Sequence, residues 1–153
     1  DNSKGLSVPR LGFVFCTNDQ SRKGVELTQN PHACLVFFWP ELERQVRVSG
    51  TVQRLSQEES SHYFQARPLG SQLTAWASAQ SHEIANRTQL ETKIAELEAK
   101  YEHQMIPCPP FWGGYRLMHQ EIEFWQGRPN RLHDRIRYRL HSDGTWLRER
   151  LQP

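Results

Sequence analysis

The sequence predicts an α+β chain, mainly antiparallel β, with helices at the periphery of a sheet or small barrel. Three observations carry this. Short apolar or alternating segments of strand length outnumber helical ones. The helices fall among them out of the strict alternation that a parallel βαβ array needs. Ser142-Asp-Gly144, between two short strands, is a hairpin signal. At 153 residues the chain fits one domain, able to bury about 70% of its unfolded surface without disulfide or metal staples. Five Trp, seven Phe and four Tyr supply large burial units, while a mean hydropathy of −0.75 implies a strongly polar surface.

The elements follow in order. The first ten residues, DNSKGLSVPR, are broken by Gly5 and Pro9 and read as coil, a divergent segment set apart from a single domain over residues 11–153. Leu11-Gly-Phe-Val-Phe-Cys16 has the composition of a strand. Thr17-Asn-Asp-Gln-Ser21 offers several N-cap side chains, and Lys23, Val25 and Leu27 continue as a helix until Asn30-Pro31 stops it. Ala33 to Trp39 is nearly continuously apolar and predicts a buried strand closed by Pro40. Arg44 to Leu55 places Val46, Val48 and Val52 on one side and polar residues on the other, the period of a half-buried antiparallel strand, and Gly50 predicts a bulge or bend in it.

Ser56-Gln-Glu-Glu59 is a capping-box pattern that opens a helix through about Ala66; Pro68 interrupts it, and a second short helix is expected over Ser71 to Ala79. Between Asn86 and Glu102, Leu90, Ile94, Leu97 and Tyr101 recur at spacings of four and three, the apolar stripe of a helix. Ile106-Pro-Cys-Pro-Pro110 ends it as an extended linker. Tyr115 to Gln126, Arg135 to His141 and Thr145 to Arg150 then read as strands.

Several function classes are excluded. The longest apolar run falls far short of the roughly 20 residues a membrane-spanning helix needs. The opening residues hold no signal-peptide core, and the absence of an initial Met predicts a fragment or a processed product. Cys16, Cys34 and Cys108 form no CxxC pair and cannot all pair internally, which points to a reducing compartment, the cytoplasm. Seven scattered His without HxxxH spacing or a Cys/His cluster predict no metal site. No dinucleotide-binding or P-loop glycine pattern occurs, and Gly113-Gly114 suits close packing. A net charge of +2 and the lack of an RNP-like motif argue against nucleic acid, although arginines crowd the C-terminal fifth.

Three segments hold candidate chemistry. Thr17-Asn-Asp-Gln-Ser-Arg-Lys23 gathers hydroxyls, amides and two cations where a strand opens into a helix, which suits a phosphate or else is a well-capped helix with two solvated cations. Tyr63, Arg67 and Ser71 recur every four residues across a helix end, as a second anion site or as surface decoration. Phe124 to Arg135 is dense in polar and aromatic groups: Trp125 can wall a planar ring and Arg131, His133 and Arg135 share a face if extended, the alternative being a strand-loop-strand in which Asp134 pairs an arginine.

Taken together, GFVFCTNDQSRKG, NPHACLVFFW, RQVRVSG, YFQARPLGSQLTAWASAQS, PPFWGGYRL and IEFWQGRPNRLHDRIRY through the terminal RLQP closely resemble the pyridoxamine 5'-phosphate oxidase family over about Leu11 to Pro153. The resemblance implies a split β-barrel (FMN-binding) with peripheral helices, a homodimer, and FMN held in a groove between subunits. It implies oxidation of pyridoxamine 5'-phosphate or pyridoxine 5'-phosphate to pyridoxal 5'-phosphate, with dioxygen as acceptor and release of hydrogen peroxide. By resemblance, Cys16 (where the family often has Tyr), Thr17, Arg22 and Lys23 hold FMN, mainly at its phosphate end. Gln45, Gln80, Ser81, Trp125 and Arg135 match further flavin contacts, some of them across the interface. Tyr63, Arg67 and Ser71 match positions that hold the substrate phosphate, and Arg131, Leu132 and His133 those lining the substrate ring. Arg131 and His133 are the implied catalytic pair, orienting and polarising the reacting carbon.

One departure is visible. Before the GFVF strand the family carries an R-x-x-L-L-K strand, whose Arg contacts FMN and whose Lys contacts the substrate phosphate; DNSKGLSVPR does not match it. The resemblance thus carries an alternative, a catalytically impaired flavin- or pyridoxal-phosphate-binding relative.

Overall fold

A computed structural model describes residues 12–153. The divergent segment expected over residues 1–10 lies outside the described residues. The elements run β1 (Phe13–Asn18), α1 (Arg22–Gln29), β2 (His32–Trp39), a 3-10 turn (Pro40–Leu42), β3 (Arg44–Arg54), α2 (Gln57–Gln65), α3 (Leu69–Ala77) and α4 (Arg87–Lys100). After these come β4 (Trp112–Gln126), a second 3-10 turn (Pro129–Arg131), β5 (Asp134–Leu140) and β6 (Trp146–Leu151). The six-stranded sheet has the order β2-β3-β4-β5-β6, with β1 paired to β4. The pairs β2/β3, β4/β5 and β5/β6 are antiparallel, as the α+β reading expects. No helix among the described residues is long and apolar enough to cross a membrane.

The described residues form two compact units. One, here the helical unit, holds Val14–Pro31 and Val52–Arg116. Its helices begin where side chains satisfy first-turn amides. Ser21 Oγ accepts from Gly24 N at 3.2 Å, and Asn86 Oδ1 accepts from Gln89 N at 3.0 Å. Ser56 and Glu59 form the full capping box, each side chain accepting from the other's backbone. The core is Phe64, Leu73, Ile106 and Trp112, with Phe64 and Trp112 edge to face at 5.3 Å; Leu97 and Tyr101, at the end of the α4 stripe, pack against it. Gly114 is the close-packed glycine expected: a Cβ there lies 2.6 Å from Leu55 Cδ1.

The other, the strand unit, holds Phe13, His32–Thr51 and Leu117–Pro153. Two expectations are corrected in it. Against β2, Gly50 makes no bulge, because the register runs unbroken through Ala33↔Gly50; the glycine is needed because a Cβ would stand 2.0 Å from the Met118 carbonyl oxygen. β2 is not buried either: Val36 is 56% and Phe38 58% exposed. Among the described residues the strand lies at a sheet edge, with a neighbour on one side only. Continuous apolarity there marks a strand that the described residues of one chain leave exposed on both faces.

The β4–β6 ribbon is two-sided. Arg135, Arg137 and Arg139 alternate along β5 and meet Glu123, Glu121 and Glu149 from the flanking strands, with N···O separations of 2.7 to 3.6 Å. Ile122, Phe124, Ile136, Tyr138 and Trp146 instead line an apolar hollow of about 690 Å³.

Candidate functional site

In the helical unit a cavity of about 540 Å³ opens at the end of β1, within the range of small-ligand sites. β1 contributes Cys16, Thr17 and Asn18; α2 contributes Tyr63; the α2–α3 link contributes Arg67. Thr74 and Ala75 of α3, Ser78 and Gln80 beyond it, and Trp112 at the start of β4 complete the wall. Thr17 and Asn18 are buried, and both donate to Gln80 Oε1, from the Thr17 hydroxyl at 3.3 Å and from Asn18 N–H at 3.2 Å. That pair of bonds ties the segment after α3 to the strand. Ser81, next along, takes a left-handed φ of 71°, a conformation that non-glycine residues adopt mostly where surroundings impose it.

Among the described residues, Arg67 is the wall's one charged group, and the lining contains neither a carboxylate nor a lysine. Its guanidinium lies 5.1 Å above the Trp112 ring, and Trp112 is 4% exposed. Among the described residues the cation is therefore held by a buried indole face and not by a counter-ion. Burial pushes the Cys16 thiol upward, with Arg67 pulling the other way, so at neutral pH Cys16 is an uncharged wall group. One guanidinium, four hydroxyls and two amides with no acid among them form a donor set for an anion such as a phosphate ester.

Arg22 and Lys23 occupy the first turn of α1, which has no acidic residue there. Cations at the positive end of a helix work against its dipole, an arrangement an incoming anion would reverse. Arg22 pairs with Glu26 at 2.7 Å on the exposed face, and Lys23 Nζ lies 5.9 Å from the Phe15 ring. Ser71 is not in the cavity wall; it sits in the first turn of α3, its N–H donating to Pro68 O.

The strand unit gathers the other candidates around the turn after β4. Trp125 stands directly opposite Arg135 in the β4/β5 register, and its ring centroid is 4.9 Å from that of His133. Asn130 and Arg131 both have left-handed backbone, φ 57° and 61°. Arg131 makes no ion pair among the described residues, and Leu132 is 68% exposed. Arg128 N–H donates to His133 Nδ1 at 3.2 Å. Asp134 does pair arginine, and twice: Arg128 at 2.9 Å and Arg150 at 2.6 Å, which together hold its carboxyl below the usual range. Arg135 donates to both Glu123 oxygens, at 2.8 and 3.1 Å, and to Gln152 O at 3.0 Å. Arg135 is also the chief cause that lowers the pKa of Glu123. Gln45 is half-buried on β3, opposite Phe38.

The candidates thus gather as Cys16, Thr17, Tyr63, Arg67 and Gln80 around one cavity and Trp125, Arg131, His133 and Arg135 around one turn. Asn18 lies in the candidate segment Thr17 to Lys23, whereas Thr74, Ser78 and Trp112 were missed. Trp112 had a signal in PPFWGG, an aromatic beside two glycines, but no local spacing connects it to Arg67, 45 positions earlier.

Known proteins resemble the chain along its length. The profile of pyridoxamine 5'-phosphate oxidase matches residues 9–101, and that of the pyridoxine 5'-phosphate oxidase C-terminal dimerisation region matches residues 112–153. A pyridoxine/pyridoxamine 5'-phosphate oxidase of Pseudomonas paraeruginosa is 57% identical over 150 residues, covering 98% of this chain and 68% of that protein. One of Synechocystis sp. is 56% identical over 150 residues, covering 98% and 69%. Among solved structures, PhzG from Burkholderia lata 383, in complex with tetrahydrophenazine-1-carboxylic acid, superposes with a TM-score of 0.85 at 36% identity, covering 97% of this chain and 72% of that one. A pyridoxamine 5'-phosphate oxidase-related, FMN binding protein of Nostoc punctiforme has a TM-score of 0.69 at 17% identity, covering 92% and 71%, a likeness of fold alone.

Proposed function

Because this chain belongs to the pyridoxamine 5'-phosphate oxidase family, an oxidoreductase family with an FMN-binding split-barrel fold, we propose that it oxidises pyridoxamine 5'-phosphate or pyridoxine 5'-phosphate to pyridoxal 5'-phosphate. Dioxygen is the terminal acceptor in this reading and hydrogen peroxide the by-product. The match to the dimerisation region supports a homodimer, and three free cysteines suit a cytoplasmic setting. The observation that carries the proposal is the cavity, without an acid among its described lining residues, in which Tyr63 and Arg67 face the residues at the end of β1.

The donor set fits FMN. Thr17, Arg22 and Lys23 would hold its phosphate end, with Cys16 as a neutral neighbour; Gln80 and Ser81 of the helical unit, and Gln45, Trp125 and Arg135 of the strand unit, are matched to ring contacts, some of them made across the subunit interface. Bound FMN supplies the two-electron acceptor that amino-acid side chains lack. Arg67, already stacked and with no carboxylate in the cavity wall, binds the substrate phosphate with the Tyr63 hydroxyl, and Ser71 supports it from α3. Arg131, Leu132 and His133 wall the substrate ring. Arg131 and His133 orient the carbon that bears the amine or alcohol and stabilise charge developing there.

The test is purification followed by turnover. A yellow protein with a flavin spectrum that converts pyridoxamine 5'-phosphate to pyridoxal 5'-phosphate and peroxide is the expected result. A yellow protein without product favours the impaired flavin-binding alternative, and a colourless one that added FMN cannot restore overturns both.

A further inference from the structure

The turn that carries Arg131 and His133 is braced by groups with no role in the reaction proposed above. Asp134, the first residue of β5, accepts from Arg128 Nε through one carboxylate oxygen and from Arg150 Nη1 of β6 through the other. Arg128, in turn, donates its backbone N–H to His133 Nδ1. We propose that Asp134 is a positioning residue: by anchoring Arg128 it fixes His133 as the Nε2–H tautomer, so that the imidazole meets the substrate as a hydrogen-bond donor.

A backbone N–H can only donate, so Nδ1 must present its lone pair, and the single proton of a neutral imidazole then sits on Nε2. A flip about Cβ–Cγ would put Cδ2 in the place of Nδ1 and break the bond from Arg128, and the Trp125 ring, 4.9 Å away between centroids, packs against the imidazole and hinders that flip. The Arg128 amide needs bracing because the next turn contains two consecutive non-glycine residues in the left-handed region, Asn130 and Arg131. Such a backbone relaxes unless its surroundings hold it. Asp134 spans the strained pair, tied to Arg128 before it and lying in β5 after it. Arg150 adds a second anchor from a strand whose register is fixed by the pair Ile136↔Arg150.

The donor role toward substrate rests on the functional reading above; the tautomer does not, and the two are read separately. Long-range 15N–1H correlation spectra of the full chain in mildly alkaline solution report it, with His133 assigned by the signals missing from His133→Gln. The Nε2–H pattern is expected in the unmodified protein, a tautomer mixture in Asp134→Ala, and recovery in Asp134→Glu. An Nδ1–H pattern in the unmodified protein, or a tautomer unmoved by Asp134→Ala, overturns the proposal. In turnover of pyridoxamine 5'-phosphate, Asp134→Ala is expected to lower kcat about tenfold with KM within about twofold. A raised KM with kcat intact overturns the positioning role. Should Asp134→Ala fail to fold, Arg150→Ala removes one anchor at a side chain that is 65% exposed, and a smaller shift in the same spectra is expected. An unmodified protein without turnover overturns the functional reading alone, because the spectra are recorded without substrate.

Discussion

Arg67 and Arg135 are both assigned to ligands, yet their surroundings are opposite. Arg67 lies on the face of a buried indole in a wall without carboxylates. Arg135 is clasped by both oxygens of a buried glutamate and by the Gln152 carbonyl. The first leaves its hydrogen-bonding edge for an anion from outside. The second has most of its donors engaged internally and fixes the local frame in which Trp125 and the neighbouring turn sit. Loss of each should therefore register in different measurements, affinity for the first and stability for the second.

Four experiments can break or sharpen that contrast. Glu123→Ala strands the Arg135 guanidinium beside Arg137, and breaking a largely buried pair from one side is expected to cost about 3 kcal/mol, read as a fall in the chemical-denaturation midpoint. If the fold tolerates it, the strand-unit arginines are not the framework described. Arg67→Ala is expected to raise KM for pyridoxamine 5'-phosphate by roughly 10- to 100-fold, from loss of charge-assisted hydrogen bonds, while activity on unphosphorylated pyridoxamine barely moves. Equal losses on both substrates would remove the phosphate role.

The helical unit has a frame of its own, in which Asp19 accepts from Arg54 and, at 2.9 Å, from the Tyr115 hydroxyl. Burial, with Asp19 adding to it, pushes Tyr115 up to about 12 from its ordinary 10. A phenol raised on folding stabilises the fold fully below its unfolded value, so this contribution is lost as pH rises from 10 to about 12. Tyr115→Phe is expected to lower stability by about 1 kcal/mol at neutral pH and to flatten that alkaline decline in pH-resolved melting curves. The smallest structural effect belongs to Arg22→Ala. Its pair with Glu26 is solvent-exposed, so the melting temperature is expected to stay put, whereas FMN affinity measured by fluorescence quenching is expected to fall about tenfold.

Local chemistry made much of the fold legible. The caps at Ser21, Ser56 and Asn86 each bond an amide three residues ahead, and the α4 stripe repeats within one helix, so both are written in short stretches of sequence. The Ser142-Asp-Gly144 hairpin is legible for the same reason, with Gly144 at φ 88°. β2 was misread because apolarity on both faces is the same whether a strand lies inside a sheet or at its edge, and strand order depends on pairings distant in sequence. Gly50 shows the same limit: its purpose is the Met118 carbonyl, 68 positions on. At the candidate site, Tyr63 and Arg67 showed through helical spacing. The Trp112 face beneath Arg67, the Glu123 clasp on Arg135, and the left-handed backbone at Ser81 and Arg131 depend on long-range partners or on dihedral angles that residue type does not announce.

The ribbon of β4, β5 and β6 puts an arginine–glutamate lattice on one side and an aromatic hollow on the other, and dissolved salts act on the two in opposite senses. Sodium chloride screens the outer, half-exposed members of the lattice, such as Arg139, more than the buried Glu123 pair. Ammonium sulfate, shunned by protein surfaces, makes the wet hollow less favourable and pushes molecules to cover it. At equal ionic strength, sulfate is therefore expected to favour association through that side more than chloride does.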